Sequence, residues 1–242
     1  MRRETANVLL VLLGGALAKI ALDGSALNYV KPGLLPWLAA TGFVVVVLGL
    51  LAVARDVRAH QPAPDQHHHG RGARSPWLLL LPVLAIFLVA PPALGASSVG
   101  EGDGRSVATS SGVSTQTFPP LPAGDAPEVS LVDLVQRSVW DRAGSLDGRE
   151  VTLTGFVVRG AAGGTDLARL VISCCAADAL PVRVQLDVGA RQAAVDAMVA
   201  NTWLVVRGTV VGGSATKQNG YVPTLTVASW STVVTPGDPY EY

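Results

Sequence analysis

The run Phe43-Val44-Val45-Val46-Val47-Leu48 decides how the first part of the chain folds. It lies within 23 consecutive uncharged residues, between Lys31 and Arg55. A second uncharged stretch of 26 residues follows Arg74. A helix needs roughly 20 apolar residues to cross the hydrocarbon core of a bilayer. We therefore predict two membrane-spanning helices, at about 35–54 and 76–95.

The apolar run 6–22 predicts a further span, making three, although Lys19 interrupts it near its end. A lysine at that position can extend its ammonium group to the membrane surface. The alternative is a signal peptide, because two arginines precede the run and Ala16-Leu17-Ala18 has the small-x-small pattern of a cleavage site. Either alternative leaves the following residues on the same side of the membrane.

Composition and charge indicate a membrane protein rather than an ordinary cytosolic enzyme. Mean hydropathy is +0.40 and only 15% of residues are charged, against about 25% in soluble domains. Short loops rich in Lys and Arg stay in the cytoplasm, and this chain has them at the N-terminus and at 55–75. We therefore predict a multi-pass protein of the cell (plasma) membrane, with its N-terminus cytoplasmic and its C-terminal part extracytoplasmic.

After this transmembrane region, 1–95, the composition changes twice. Residues 96–126 are rich in Gly, Ser, Thr, Pro and Ala, which predicts a flexible linker. Residues 127–242 show the alternation of half-buried strands and predict a small β-rich, OB-like five-stranded barrel with short helices. The alternative is an open sheet with one helix. The predicted helices are 131–139, capped by Ser130, and 190–199; the predicted strands are 150–158, 168–175, 182–187, 202–211 and 222–233.

All four histidines lie in the loop between the second and third predicted spans. They are His60, His67, His68 and His69. Imidazole is a common ligand of zinc, copper and nickel, and short histidine tracts bind such ions loosely. The sequence leaves two alternatives, loose metal capture by His67, His68 and His69 or a solvated polar loop.

Cys174 and Cys175 are the only cysteines of the chain, and they are adjacent. On a regular strand neighbouring side chains point to opposite faces, so one thiol would be a small core residue and the other an edge thiol. The alternative is a pair used for metal binding, redox chemistry or partner contact, to which Asp178 adds an oxygen ligand. The OB-like domain carries no basic stripe and is predicted to lie outside the cytoplasm, so nucleic-acid binding is disfavoured.

The segment Leu170-Val171-Ile172-Ser173-Cys174-Cys175-Ala176-Ala177-Asp178-Ala179 resembles the Cys-Cys-x-x-Asp-Ala signature of YcgQ-like bacterial membrane proteins. Asn28-Tyr29-Val30-x-Pro32, the histidine loop and the terminal Pro239-Tyr240-Glu241-Tyr242 resemble the same family. The resemblance implies the small subunit of a two-component permease, paired with a larger polytopic subunit.

We therefore expect a non-enzymatic accessory subunit, embedded in the lipid bilayer, whose partner carries the substrate path. The histidines and thiols suggest a metal ion, zinc or another transition metal, as the bound species. The alternatives are a membrane-tethered thiol or redox protein and a non-catalytic scaffold module. We also expect Tyr240 and Tyr242 to dock on the β domain or on the partner, since two aromatic rings can bury a large area.

Overall fold

The structure is a computed structural model that describes residues 3–59, 92–100, 118–160 and 163–242. The chain divides into two compact units, Met1–Pro92 and Ala93–Tyr242. We call them the hairpin unit and the sheet unit. The predicted histidine loop lies outside the described residues, as does most of the span predicted at 76–95.

Two helices that pack against each other form the described part of the hairpin unit. They are α1 (Arg3–Leu22) and α2 (Leu35–Ala59). The Nδ2 atom of Asn7 donates to Oδ2 of Asp56 at 2.6 Å, and a Cβ atom built on Gly42 would lie 2.8 Å from the backbone nitrogen of Ala18. Early residues of α1 thus meet late residues of α2, so the helices are antiparallel, and glycine allows their backbones to approach closely.

The number of spans differs from the prediction. Among the described residues one helix, over Pro32–Arg58, is long and apolar enough to cross a membrane. The prediction of a span at 35–54 therefore has a matching helix, whereas the described residues hold no second or third helix of that kind. The apolar part of α1, Asn7–Leu22, falls short of the roughly 20 residues that a crossing needs. Residues 92–95, at the end of the third predicted span, are not helical.

The sheet unit has six strands and two α-helices among its described residues. Helix α3 precedes the strands and α4 lies between the third and fourth strands. The bounds are α3 Leu131–Trp140, β1 Glu150–Arg159, β2 Thr165–Val171, β3 Leu180–Asp187, α4 Gln192–Asp196, β4 Trp203–Val210, β5 Thr224–Val233 and β6 Tyr240–Glu241. Short 3-10 helices occur at Ser25–Asn28, Pro32–Leu34, Ala96–Ser98, Ala176–Asp178, Gly189–Arg191 and Lys217–Asn219.

Five strands form a closed ring and the sixth extends one edge. The strand order is β1-β4-β5-β3-β2-β6, and an additional pairing of β1 with β2 closes the ring. All neighbours are antiparallel except β3 with β5 and β2 with β6. The alternative of an open sheet is therefore wrong, and the predicted five-stranded core is extended to a six-stranded mixed sheet.

Two hydrophobic cores lie on either side of β1. Val151, Leu153 and Val157 point into a main core shared with α3, whereas Phe156 and Val158 belong to a second core. Phe156 meets Trp203 edge-on in that second core, with ring centroids 5.4 Å apart. Alternating faces of a single strand thus serve two cores, and β1 is buried on both faces over its second half.

Gly155 stands where β1 begins to pair with β2. A Cβ atom there would lie 2.7 Å from the carbonyl oxygen of Ala168, a distance that backbone atoms do not tolerate. Glycine is therefore required for the ring to close at this point.

The second predicted strand and the second predicted helix differ from the structure. The strand predicted at 168–175 covers Thr165–Val171 and ends before the cysteines. The helix predicted at 190–199 is only Gln192–Asp196, and its buried residue is Val195 rather than the neighbouring alanines. Ser130 caps α3 as predicted, its Oγ accepting from the Asp133 backbone nitrogen at 3.0 Å.

The C-terminal residues pack into the sheet unit, which confirms the predicted docking for Tyr240, whereas Tyr242 is 44% exposed. Tyr240 is 2% exposed and β6 pairs in parallel with the end of β2. Parts of the segment predicted as a linker, 96–126, also pack against the hydrophobic cores of the sheet unit. Ala96 and Val99 pack against the second core and Leu121 against the main core.

Candidate metal site

The two cysteines lie in a turn that follows β2. Beyond Ile172, whose backbone nitrogen still bonds to β6, the backbone donors bond to a side chain instead of a neighbouring strand. The backbone nitrogen of Ser173 donates to Oδ1 of Asp178 at 2.9 Å, and that of Cys174 donates to Oδ2 at 2.9 Å. A 3-10 turn, Ala176–Asp178, then brings the carboxylate back to the cysteines. We call residues 173–178 the ligand loop.

The ligand loop brings three predicted site residues together. The Sγ atoms of Cys174 and Cys175 are 3.6 Å apart, and one ligand atom from each of Cys174, Cys175 and Asp178 lies within 4.8 Å of the others. Cys174 is exposed and Cys175 is partly exposed. The alternative in which one thiol is a small core residue is therefore wrong, and so is the assumption that a regular strand separates the two side chains.

Hydrogen bonding inside the ligand loop sets the charge of its groups. The thiol of Cys174 donates to Asp178, and this bond, with a smaller effect from Cys175, raises the pKa of Cys174 to about 11. The same bond, together with the backbone donors, lowers the pKa of Asp178 below its usual value. At neutral pH the loop therefore presents a carboxylate and a protonated Cys174 thiol.

This donor set suits a thiophilic divalent ion. Thiolate sulfur favours zinc and related transition metals, and carboxylate oxygen completes many zinc sites. Each oxygen of Asp178 accepts a backbone bond, and loss of the Cys174 thiol proton to an ion would free the lone pair that the thiol occupies. Because Cys174 is exposed, an ion held by these three ligands would keep a coordination position open to solvent or to another molecule.

His67, His68 and His69, the other predicted metal ligands, lie outside the described residues.

Two features of the site were missed by sequence reasoning. One is the pair of backbone donors that hold Asp178, because no side-chain pattern signals them. The other is the C-terminal strand, which reaches the residue before the loop: the backbone nitrogen of Ile172 donates to the carbonyl of Glu241 at 3.0 Å.

A separate cleft of about 210 Å³ lies between the turn after α3 and the turn after β4. It is lined by charged side chains of both signs, among them Arg137, Asp141, Arg142 and Asp147. Arg137 donates hydrogen bonds to Asp133 and Ser145, at 2.8 and 3.0 Å. None of the predicted site residues lines this cleft.

The fold and the ligand loop together define a class: an apolar helical hairpin followed by a small sheet domain that carries a vicinal-cysteine loop. Residues 135–242 match the family model of the DUF1980 C-terminal domain. The matched segment contains all six strands and the ligand loop, and it is consistent with the resemblance to YcgQ-like proteins. No curated protein and no solved structure matches the chain.

Proposed function

We propose that this protein is a membrane-anchored, non-enzymatic accessory subunit of a permease, and that its sheet unit binds a zinc-like ion at Cys174, Cys175 and Asp178. The observation that carries the proposal is the convergence of these three ligand atoms within 4.8 Å. A tetrahedral zinc ion with Zn–S bonds of about 2.3 Å separates its thiolates by about 3.8 Å. The observed separation of 3.6 Å is close to this value.

The hairpin unit supports the anchoring part of the proposal. Large apolar side chains cover its exposed surface, including Trp37, Phe43, Leu48 and Leu51. A continuous exposed apolar surface of this kind is typical of a membrane or a protein interface. The basic residues at 55–75 favour a cytoplasmic position for that loop, and a crossing of the apolar segment predicted at 76–95 would then place the sheet unit outside the cytoplasm.

We also propose that the five-stranded ring is an OB-like barrel that presents the ligand loop to the larger permease subunit. The closed ring and the helix between β3 and β4 support this proposal. A loop at the end of a strand in such a domain is positioned by a rigid scaffold, as binding loops commonly are.

The alternative is a membrane-tethered thiol or redox protein. It is favoured by the short distance between the two sulfur atoms, but a reactive cysteine needs a lowered pKa to supply its thiolate. The pKa of Cys174 is raised instead. A metal ion must displace the same proton, and its charge favours the displacement, so this shift weighs more heavily against the thiol enzyme than against the metal site.

Zinc titration of the full chain in detergent tests the metal site. Wild type should bind one Zn²⁺ in competition with a chromophoric chelator, and Cys174→Ser, Cys175→Ser and Asp178→Asn should each weaken binding at least tenfold. Ser173→Ala is the matched control, since Ser173 supports the loop through its backbone nitrogen. Absence of stoichiometric binding by wild type, or equal binding by all variants, would contradict the proposal.

The membrane arrangement needs a separate test. Alkaline phosphatase fused after Pro127 should be active, and the same enzyme fused after Pro64 should be inactive, because it folds only outside the cytoplasm. The opposite pattern would overturn the orientation.

For the permease role, the intact chain should co-purify one larger polytopic membrane protein, and loss of the chain should change accumulation of the ion in cells.

A further inference from the structure

The last residues of the chain lie against the base of the ligand loop. In the register of β6 with β2, Tyr240 pairs with Leu170 and Glu241 with Val171. The ladder continues through the hydrogen bond from Ile172 to Glu241. Ser173, whose backbone holds Asp178, is the next residue. The C-terminal strand thus fixes the backbone up to the first residue of the loop.

Tyr240 belongs to the hydrophobic cluster against which both ends of the same loop pack. Ile172, directly before the loop, is 1% exposed and belongs to the second core together with Tyr240. Ala179, directly after the loop, packs against that core as well. Both stems of the ligand loop therefore rest on one cluster that the terminus completes.

Glu241 anchors the terminus to a different part of the sheet unit. Its Oε1 accepts from the backbone nitrogen of Leu131 and its Oε2 from that of Val132, each at 2.9 Å. A carboxylate at a helix N-terminus satisfies free backbone donors and interacts favourably with the helix dipole. Nη2 of Arg169 adds hydrogen bonds to the carbonyls of Asp238 and Tyr240 at 3.0 and 2.8 Å.

Tyr240 also connects the loop to the beginning of the sheet unit. Its hydroxyl accepts a hydrogen bond from the backbone nitrogen of Leu94 at 3.0 Å. The lead-in segment, residues 93–99, contributes Ala93, Leu94, Ala96 and Val99 to the second core. The residues through which the chain enters this unit therefore share a core with the residues that flank the ligand loop.

We propose that Tyr240 and Glu241 are positioning residues for the ion, and that ion binding in the ligand loop is energetically coupled to docking of the C-terminal strand. This inference rests on the proposed function. A loop whose two ends are fixed loses less conformational freedom when it closes around an ion. By linkage, an ion that favours the closed loop must in turn favour the docked strand.

Two measurements on the full chain in detergent test the coupling. Glu241→Gln keeps the shape of the side chain but leaves a single acceptor oxygen for two backbone donors, and we expect it to raise the Kd for Zn²⁺ about tenfold. In wild type, saturating Zn²⁺ should slow hydrogen exchange at the Ile172 amide by a similar factor. The second measurement needs no variant and remains decisive if Glu241→Gln does not fold.

Glu150→Gln is the matched control, because the Glu150 carboxylate also serves a structural contact, a 2.6 Å ion pair with Arg207 between β1 and β4. It should leave both the Kd for Zn²⁺ and the exchange of Ile172 unchanged. A loss of affinity in both variants would show a general effect of destabilisation and would overturn the inference.

The failures of the two proposals are distinguishable. If wild type binds no Zn²⁺, the metal site itself is wrong and the coupling falls with it. If wild type binds Zn²⁺ but the ion leaves exchange at Ile172 unaffected, or Glu241→Gln folds and binds as tightly as wild type, the metal site stands and the coupling alone is overturned.

Discussion

The large apolar side chains are exposed in the hairpin unit and buried in the sheet unit. In the hairpin unit, Phe43 is 68% exposed, and the contact between the helices is made at Gly42 and Ala18. In the sheet unit, Phe156 is 1% exposed and packs against Trp203. Small residues thus lie inside one unit and large residues lie inside the other.

This contrast is the one expected if the hairpin unit lies in lipid, as proposed, and the sheet unit in water. In water, burial of apolar surface supplies the main driving force for folding. In lipid, apolar side chains gain little by leaving the solvent, and close packing of small residues holds helices together. Equivalent substitutions should therefore have different effects in the two units.

The largest difference should come from removing one aromatic ring in each unit. Phe156→Ala deletes a fully buried side chain and should lower the free energy of unfolding of the sheet unit by about 3–5 kcal/mol. Phe43→Ala removes an exposed ring and should change stability by less than about 0.5 kcal/mol. Denaturant unfolding of the full chain in detergent measures both, and equal losses would contradict the contrast.

A buried carboxylate provides the next test, because its pKa depends on whether the interior of the sheet unit excludes water. Asp166 is 4% exposed, and burial, partly offset by Arg183, raises its pKa from 3.8 to about 6. The folded state then holds the proton more tightly than the unfolded state, so stability is lost as pH rises from about 4 to about 6.

Asp166→Asn removes this loss and should stabilise the sheet unit at pH 7 by up to about 3 kcal/mol, with a much smaller change at pH 4. Asp125→Asn, at an exposed position, is the control and should leave the pH dependence as in wild type. A variant whose stability falls with pH as steeply as that of wild type would show that Asp166 is not the group responsible.

In the hairpin unit, a methyl group added at the contact between the helices should lower stability more than one added where there is open space. Gly42→Ala places a methyl group 2.8 Å from the Ala18 backbone nitrogen and should destabilise the helix pair by about 1–3 kcal/mol. Gly15→Ala is the matched control, since nothing lies within 4 Å of the new methyl group. Thermal unfolding followed by helical circular dichroism would refute the packing argument if both variants behaved alike.

The smallest effect should come from a single hydrogen bond at the start of α3. Ser130→Ala removes the acceptor for the Asp133 backbone nitrogen and should cost about 1 kcal/mol. Ser229→Ala, on an exposed part of β5, should leave the unfolding midpoint unchanged. A shift of the same size in both variants would mean that the cap contributes nothing specific.

Local pattern was sufficient to predict most of the elements but not their ends near the site. The alternation of β-branched residues located the strands of the sheet unit, and Ser130 located the start of α3. The strand before the cysteines was predicted to end four residues too late, because apolar residues continue through Ile172. What ends that strand is the Asp178 carboxylate, which takes the backbone donors of Ser173 and Cys174.

The candidate site shows the same division. Residue type alone singled out Cys174, Cys175 and Asp178, since thiols and a carboxylate at short spacing are potential ligands. Whether their side chains converge depends on backbone conformation, and a regular strand would have separated the two thiols. The turn that brings them together is held by hydrogen bonds that no residue pattern predicts.

The sequence by itself located the apolar helix α2 and the strands β1 to β5 of the sheet unit, because hydropathy and alternation are properties of neighbouring residues. It also identified the chemical groups of the ligand loop. Only the tertiary structure decided between a closed ring and an open sheet, placed Tyr240 and Glu241 on an edge strand beside the loop, and brought the three ligand atoms together. These features join residues far apart in the chain, and their stability comes from packing and hydrogen bonds that form only once the whole unit has folded.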